Sequence, residues 1–193
     1  SLGCNGNQLT SLDVSQNTAL FSLYCYDNQL TSLNVSNNDS LTKLYCNNNQ
    51  LTSLNVSNND SLRELGCNNN QLTSLNVSNN DILIELRCDS NQLNCLDISN
   101  NTYLDWLNCS NNLLEELNTK NSNWQNMYVE AVNNNLTCVE VNNLGYANSN
   151  WTSLFDSFVT FSTNCNYTNP CTTVSAIQEH TTNKELLKVT DLL

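Results

Sequence analysis

A cysteine recurs every twenty-one residues at Cys4, Cys25, Cys46, Cys67, Cys88 and Cys109. Each stands in the same phrase, clearest at Leu62-Arg63-Glu64-Leu65-Gly66-Cys67-Asn68-Asn69-Asn70-Gln71-Leu72-Thr73-Ser74-Leu75-Asn76-Val77-Ser78-Asn79-Asn80. A unit this short cannot bury its apolar residues alone, so equivalent copies must stack on one another. The spacing therefore predicts a solenoid rather than a globule built around one centre.

The copies align at a first leucine (Leu20, Leu41, Leu62, Leu83, Leu104) and a second three residues later (Leu23, Leu44, Leu65, Leu86, Leu107). The cysteine follows two residues on. The Leu-x-Cys alternation predicts a half-buried strand with leucine and cysteine inward. Stacked turns then form a parallel sheet with strands about 4.8 Å apart. The inward Cys25, Cys46, Cys67, Cys88 and Cys109 fill a narrow slot as small hydrophobes. Three residues after each stand Asn28, Asn49, Asn70, Asn91 and Asn112. An amide there satisfies backbone groups of its own and the adjacent turn, which predicts an asparagine ladder.

The second half of each unit repeats the first in miniature, as in Leu51, Leu54, Val56 and Asn59. Val, Thr and Asn stand where a helix would need better formers. The phrase L-x-x-L-x-[L/C]-x-x-N-x-L marks a leucine-rich repeat. Its doubled form resembles the short bacterial repeat class called IRREKO, over about residues 2–141. The expected fold is a leucine-rich repeat solenoid with a parallel β-sheet on the concave face. Extended or turn segments with little helix form the convex face, and a C-terminal cap closes the end.

The expected organisation is a solenoid over 1–141, with six to seven turns of which the first is truncated. A cap follows at 142–165, carrying Trp151, Leu154, Phe155, Phe158 and Phe161; then a linker at 166–185 and a short segment at 186–193. The last repeats degrade, with Val129 in the leucine place and Ala131 in the cysteine place after a one-residue slip. Terminal units are expected to be atypical. Because residue 2 already lies within a strand phrase, the sequence reads as an excerpt of a longer protein.

Six Lys and Arg oppose eighteen Asp and Glu, a net charge of −12. Such a surface repels phosphate backbones and anionic membranes, so no nucleic-acid partner is expected. Nor is membrane insertion, since no run of about 18 apolar residues exists.

Four cysteines are off the ladder: Cys95, Cys138, Cys165 and Cys171. Cys95 and Cys138 share a repeat position two turns apart, roughly 10 Å, beyond disulfide reach. Cys138 and Cys165 bracket the cap, and a bond between them is favoured; Cys165–Cys171 is the rival closure. Cys95 is then expected to be a free, partly buried thiol. Ligand-type C-x-x-C spacing is absent, so neither metal nor other cofactor is expected.

The stretch Asn150 to Cys165 resembles the end of leucine-rich repeat arrays in surface proteins of Bacteroidota. The phrase from Ile177 to Leu193 resembles the opening of their C-terminal sorting domain, cut short at Leu193. The resemblance implies export by type IX secretion machinery and an extracellular or outer-membrane location. Asp39-Ser40-Leu41 and Asp60-Ser61-Leu62 also resemble the O-glycosylation motif of that phylum.

On the concave sheet the residues between the inward ones face outward. They include an aromatic group of Tyr24, Tyr26 and Tyr45 and a second of Trp106 and Tyr128. Between them lie Arg63, Glu64, Glu85, Arg87 and Asp89; Lys43, Gly66, Asn108 and Glu130 share the same columns. Exposed rings beside short polar groups suit recognition of protein or polysaccharide. The candidate ligand-binding set is thus Tyr24, Tyr26, Tyr45, Arg63, Glu85, Arg87, Trp106 and Tyr128. The one histidine, His180, lies in the tail, and neither a phosphate loop nor H-E-x-x-H exists. A non-enzymatic recognition or adhesion module is expected. The alternative is a structural spacer or self-associating surface subunit.

Overall fold

The computed structural model describes residues 1–120 and 125–167. Cys171, His180, the linker beyond residue 167 and the Ile177–Leu193 phrase lie outside the described residues. The chain is a leucine-rich repeat solenoid of about seven turns, with parallel strands and little helix.

Seven short strands form the concave sheet: β1 (Leu2–Gly3), β2 (Ser22–Tyr24), β3 (Lys43–Tyr45), β4 (Glu64–Gly66), β5 (Glu85–Arg87), β7 (Trp106–Asn108) and β9 (Tyr128–Glu130). Register follows the repeat: Leu23 pairs Leu44, Leu44 pairs Leu65, and Leu65 pairs Leu86. The one-residue slip is absorbed before β9, where Leu107 pairs Val129. Val129 and Ala131 are fully buried, as are the leucines and cysteines they replace.

Each strand ends three residues before a left-handed residue. Gly6, Asp27, Asn48, Asn69, Ser90, Asn111 and Asn133 all have φ between 52° and 67°. Gly, Asn and Asp tolerate this region best, which explains much of the chain's asparagine wealth. The next residue is the ladder asparagine. Asn49 Nδ2 donates to the carbonyls of Cys25 and Cys46, each at 3.0 Å, while its Oδ1 accepts from Leu30 N–H at 2.9 Å. Asn28, Asn70, Asn91 and Asn112 repeat this pattern. Asn134 extends it by one turn.

A second asparagine ladder runs through the other half of the turns. Asn38, Asn59, Asn80 and Asn101 are fully buried. Asn59 Nδ2 donates to the carbonyls of Val35 and Asn38, both at 3.0 Å, and Asn80 does the same to Val56 and Asn59. Their invariance at the same 21-residue period was the available signal.

The convex side is turn-like in the early turns. In later turns it pairs into a second parallel sheet, β6 (Leu96–Asp97), β8 (Leu117–Asn118), β10 (Cys138–Glu140) and β11 (Thr160–Ser162), in the order β6-β8-β10-β11. Helix α1 (Leu144–Asn150) and a 3-10 turn at Thr152–Leu154 come between β10 and β11. Asn143 caps α1 by accepting from Tyr146 N–H at 2.9 Å. The end segment thus adds a helix and also continues the stack, since Val139 pairs Phe161. Trp151 and Phe155 are buried and Phe161 packs on them, but Phe158 is 62% exposed.

Cys138 and Cys165 are disulfide-bonded, with Cα atoms 6.0 Å apart; the rival Cys165–Cys171 bond is therefore not formed. The Tyr167 hydroxyl donates to Leu117 C=O at 3.0 Å and tethers the segment just after it. Cys95 is not a free thiol but is disulfide-bonded. Strand spacing rules out only Cys138 as its partner, which does not leave Cys95 free.

Candidate functional site

The concave sheet is rigid beneath and chemically uneven above. Its inward positions are all Leu, Val, Ala or Cys at 0% exposure from β2 onward. Burial pushes the Cys25, Cys67 and Cys109 thiols up to about 12, and those of Cys46 and Cys88 well above the ordinary value. They serve as packing groups, not nucleophiles.

Outward positions form columns along the solenoid. In one column Tyr24 stacks on Tyr45, with centroids 5.6 Å apart and planes 9° from parallel. The next residue in that column is Gly66, which is buried. A Cβ on Gly66 would stand 2.6 Å from Tyr45 Cδ1, so the ring lies across bare backbone. This placement lets the Tyr45 hydroxyl donate to Glu64 Oε2 at 2.8 Å. Glu64 also pairs with Lys43 at 2.7 Å. Burial raises the Tyr45 phenol, and the neighbouring carboxylates raise it further.

The adjoining column carries Glu64, Glu85, Trp106 and Tyr128 in register. Trp106 and Tyr128 stack at 4.4 Å and 27°. Arg87 places its guanidinium 5.7 Å from the Trp106 centroid, within cation–π range, and its Nε pairs with Glu85 at 2.6 Å. Arg87, Trp106 and Tyr128 therefore form one continuous stack across three turns.

The structure thus brings Tyr24 to Tyr45, and Glu85, Arg87, Trp106 and Tyr128 to one another. Tyr26 is half-buried and makes no ring contact among the described residues. Arg63 is exposed at the strand entrance and is in no ion pair among the described residues. Lys43, Glu64 and Gly66 position the tyrosines, roles legible only from pairing across turns. Ser110, one turn beyond Asp89, also belongs to this surface, although no motif marked it.

A separate depression is lined by Ser57, Asp60, Ser78, Asn79, Asp81 and Asn100, none of them in the concave sheet. Among the described residues no cluster of His, Cys, Asp and Glu is arranged to hold a metal ion. Among them, too, no helix is long and apolar enough to cross a membrane.

No protein-family model and no curated protein matches the sequence. Solved structures do. The leucine-rich repeat domain of APL1B is similar at 24% identity and TM-score 0.63, over 72% of this chain and 44% of that one. An internalin (inlF) of Listeria monocytogenes is similar at 31% identity and TM-score 0.52, over 55% of this chain and 33% of that one. YopM of Yersinia enterocolitica is similar at 28% identity and TM-score 0.52, over 71% of this chain and 29% of that one. The chain spans less than half the length of each.

Proposed function

We propose that this chain is a non-enzymatic recognition module that binds a protein partner through its concave sheet. The observation that carries this is the confinement of Tyr24, Tyr45, Trp106 and Tyr128 to outward columns of one rigid sheet, in two stacks joined by charge. Rings held by their neighbours lose little further freedom on binding, so their contact area counts toward affinity. Likeness to an internalin and to YopM, both leucine-rich repeat proteins of bacteria, supports the same reading.

A protein is favoured over a polysaccharide because the two inner rings, Tyr45 and Trp106, have both faces engaged. Tyr45 lies between Tyr24 and Gly66, and Trp106 between Arg87 and Tyr128. Sugars stack on open ring faces; Tyr45 and Trp106 offer only edges, beside carboxylates, which suit side chains. The module is placed outside the cell or on an outer membrane, with export by type IX machinery resting on the Ile177–Leu193 phrase.

The test is capture of surface-exposed proteins, alongside a glycan array, by the wild type and by a variant carrying Tyr24→Ala, Tyr45→Ala and Trp106→Ala. Protein capture that is lost in the folded variant supports the proposal. Glycan binding instead redirects the ligand class. Self-association without capture turns the assignment to a structural subunit.

A further inference from the structure

Near the exits of β5, β7 and β9 the concave face carries acceptors that are weakly matched among the described residues. Asp89 follows Arg87 and Cys88 out of β5 and is half-buried. Ser110 takes the same place one turn on, and Glu130 closes β9. Alternation with the inward Cys88, Cys109, Val129 and Ala131 puts all three on the concave side. Ser110 is 3% exposed, and its Oγ is buried without a hydrogen-bond partner. Native proteins rarely leave such an atom unmatched. Asp89 accepts from Ser90 Oγ only at 3.4 Å, and Glu130 from the Tyr128 hydroxyl at 3.5 Å. Neither carboxylate is in an ion pair among the described residues.

Arg87, the cation whose charge reaches Asp89, is already paired with Glu85. Burial and the Glu130 charge hold the Asp89 carboxyl above its ordinary range. Two carboxylates and a hydroxyl acceptor call for a group that brings positive charge and several donors. A lysine ammonium has three donors and no acceptor, and its aliphatic stem suits the exposed part of Trp106, which is 40% exposed. A net charge of −12 draws a basic partner toward the face.

We infer that Asp89, Ser110 and Glu130, with Trp106 beside them, form a lysine-binding subsite that seats a basic segment of the protein partner. This rests on the concave face being a recognition surface. Fluorescein-labelled heptalysine, followed by anisotropy, is the probe. The wild type binds it, and the fully lysine-acetylated peptide does not bind. Asp89→Asn and Glu130→Gln, near-isosteric and checked for folding by circular dichroism, each weaken binding about tenfold. Asp39→Asn, an exposed acid outside the sheet, leaves it unchanged. Failure of the wild type to bind heptalysine overturns the subsite, as does an equal loss in Asp39→Asn, which would mean bulk charge alone. Partner capture lost in the aromatic variant but kept in Asp89→Asn and Glu130→Gln overturns the subsite and leaves the recognition module standing. Capture kept in all three variants overturns both.

Discussion

The ring of Tyr45 rests on the bare backbone of Gly66, with a Cβ there only 2.6 Å from Tyr45 Cδ1. One missing side chain thus sets the tilt of a tyrosine on the preceding turn and the reach of its hydroxyl to Glu64. Gly66→Ala should displace the ring, break the 2.8 Å bond and cost ~1–2 kcal/mol in urea unfolding. In a Tyr45→Ala background the same change should cost little, because the colliding ring is gone. Equal costs in both backgrounds would mean the contact is not what Gly66 serves.

The second asparagine ladder should matter as much as the first. Asn59→Ala leaves the buried carbonyls of Val35 and Asn38 without the Asn59 donor. A loss of ~2–4 kcal/mol is expected by denaturant titration. Asn58→Ala, which removes only exposed bonds, to Ser36 C=O and from Ser57 Oγ, should cost well under about 1 kcal/mol.

Stability should depend on pH through two carboxylates of opposite sign. Burial pushes Glu64 up, but its bonds from Lys43 and Tyr45 outweigh this and leave it below the usual range. Its contribution is present above the unfolded value and is lost as pH falls through the folded one. Asp89 is raised, so its ionised form burdens the fold, and that burden lifts as pH falls through its folded value. Glu64→Gln should therefore lower the melting temperature at pH 7, and Asp89→Asn should raise it. Both differences should shrink as the medium is acidified past the carboxylate range. With the lysine subsite, Asp89→Asn gains stability and loses binding, the trade expected of a functional residue.

The cysteines should divide into three classes. Under native conditions Cys4, half-exposed at the first turn, alkylates first, and the five buried ladder thiols react only on unfolding. The Cys138–Cys165 bond spans 27 residues, and Cys165→Ser should cost ~3 kcal/mol by loop entropy. Mass-spectrometric counting of labelled thiols beside thermal melts checks both statements. Fast labelling of Cys67 in the folded protein would contradict the inward ladder.

Much of this was legible in the sequence because the repeat makes every position a column. The strand register, the Cys25 to Cys109 slot, the Asn28 to Asn112 ladder and the Tyr24–Tyr45 neighbours all follow from a 21-residue offset, and Trp106–Tyr128 from the same offset with the one-residue slip. What escaped depends on contacts the period does not encode. The Tyr45 tilt is set by a glycine in the next copy, and Arg87 crosses from one column to the Trp106 of another. Ser110 is marked by burial, not by type. The bonding of Cys95 follows from no offset along the solenoid.

The most direct measurement is a hydrogen-exchange footprint of the chain with its captured protein partner bound. The account predicts added protection in peptides that span the concave strands, centred on residues 43–47, 85–89, 106–110 and 128–132. Protection confined to the convex turns or to residues 142–165, with these strands unchanged, would contradict it.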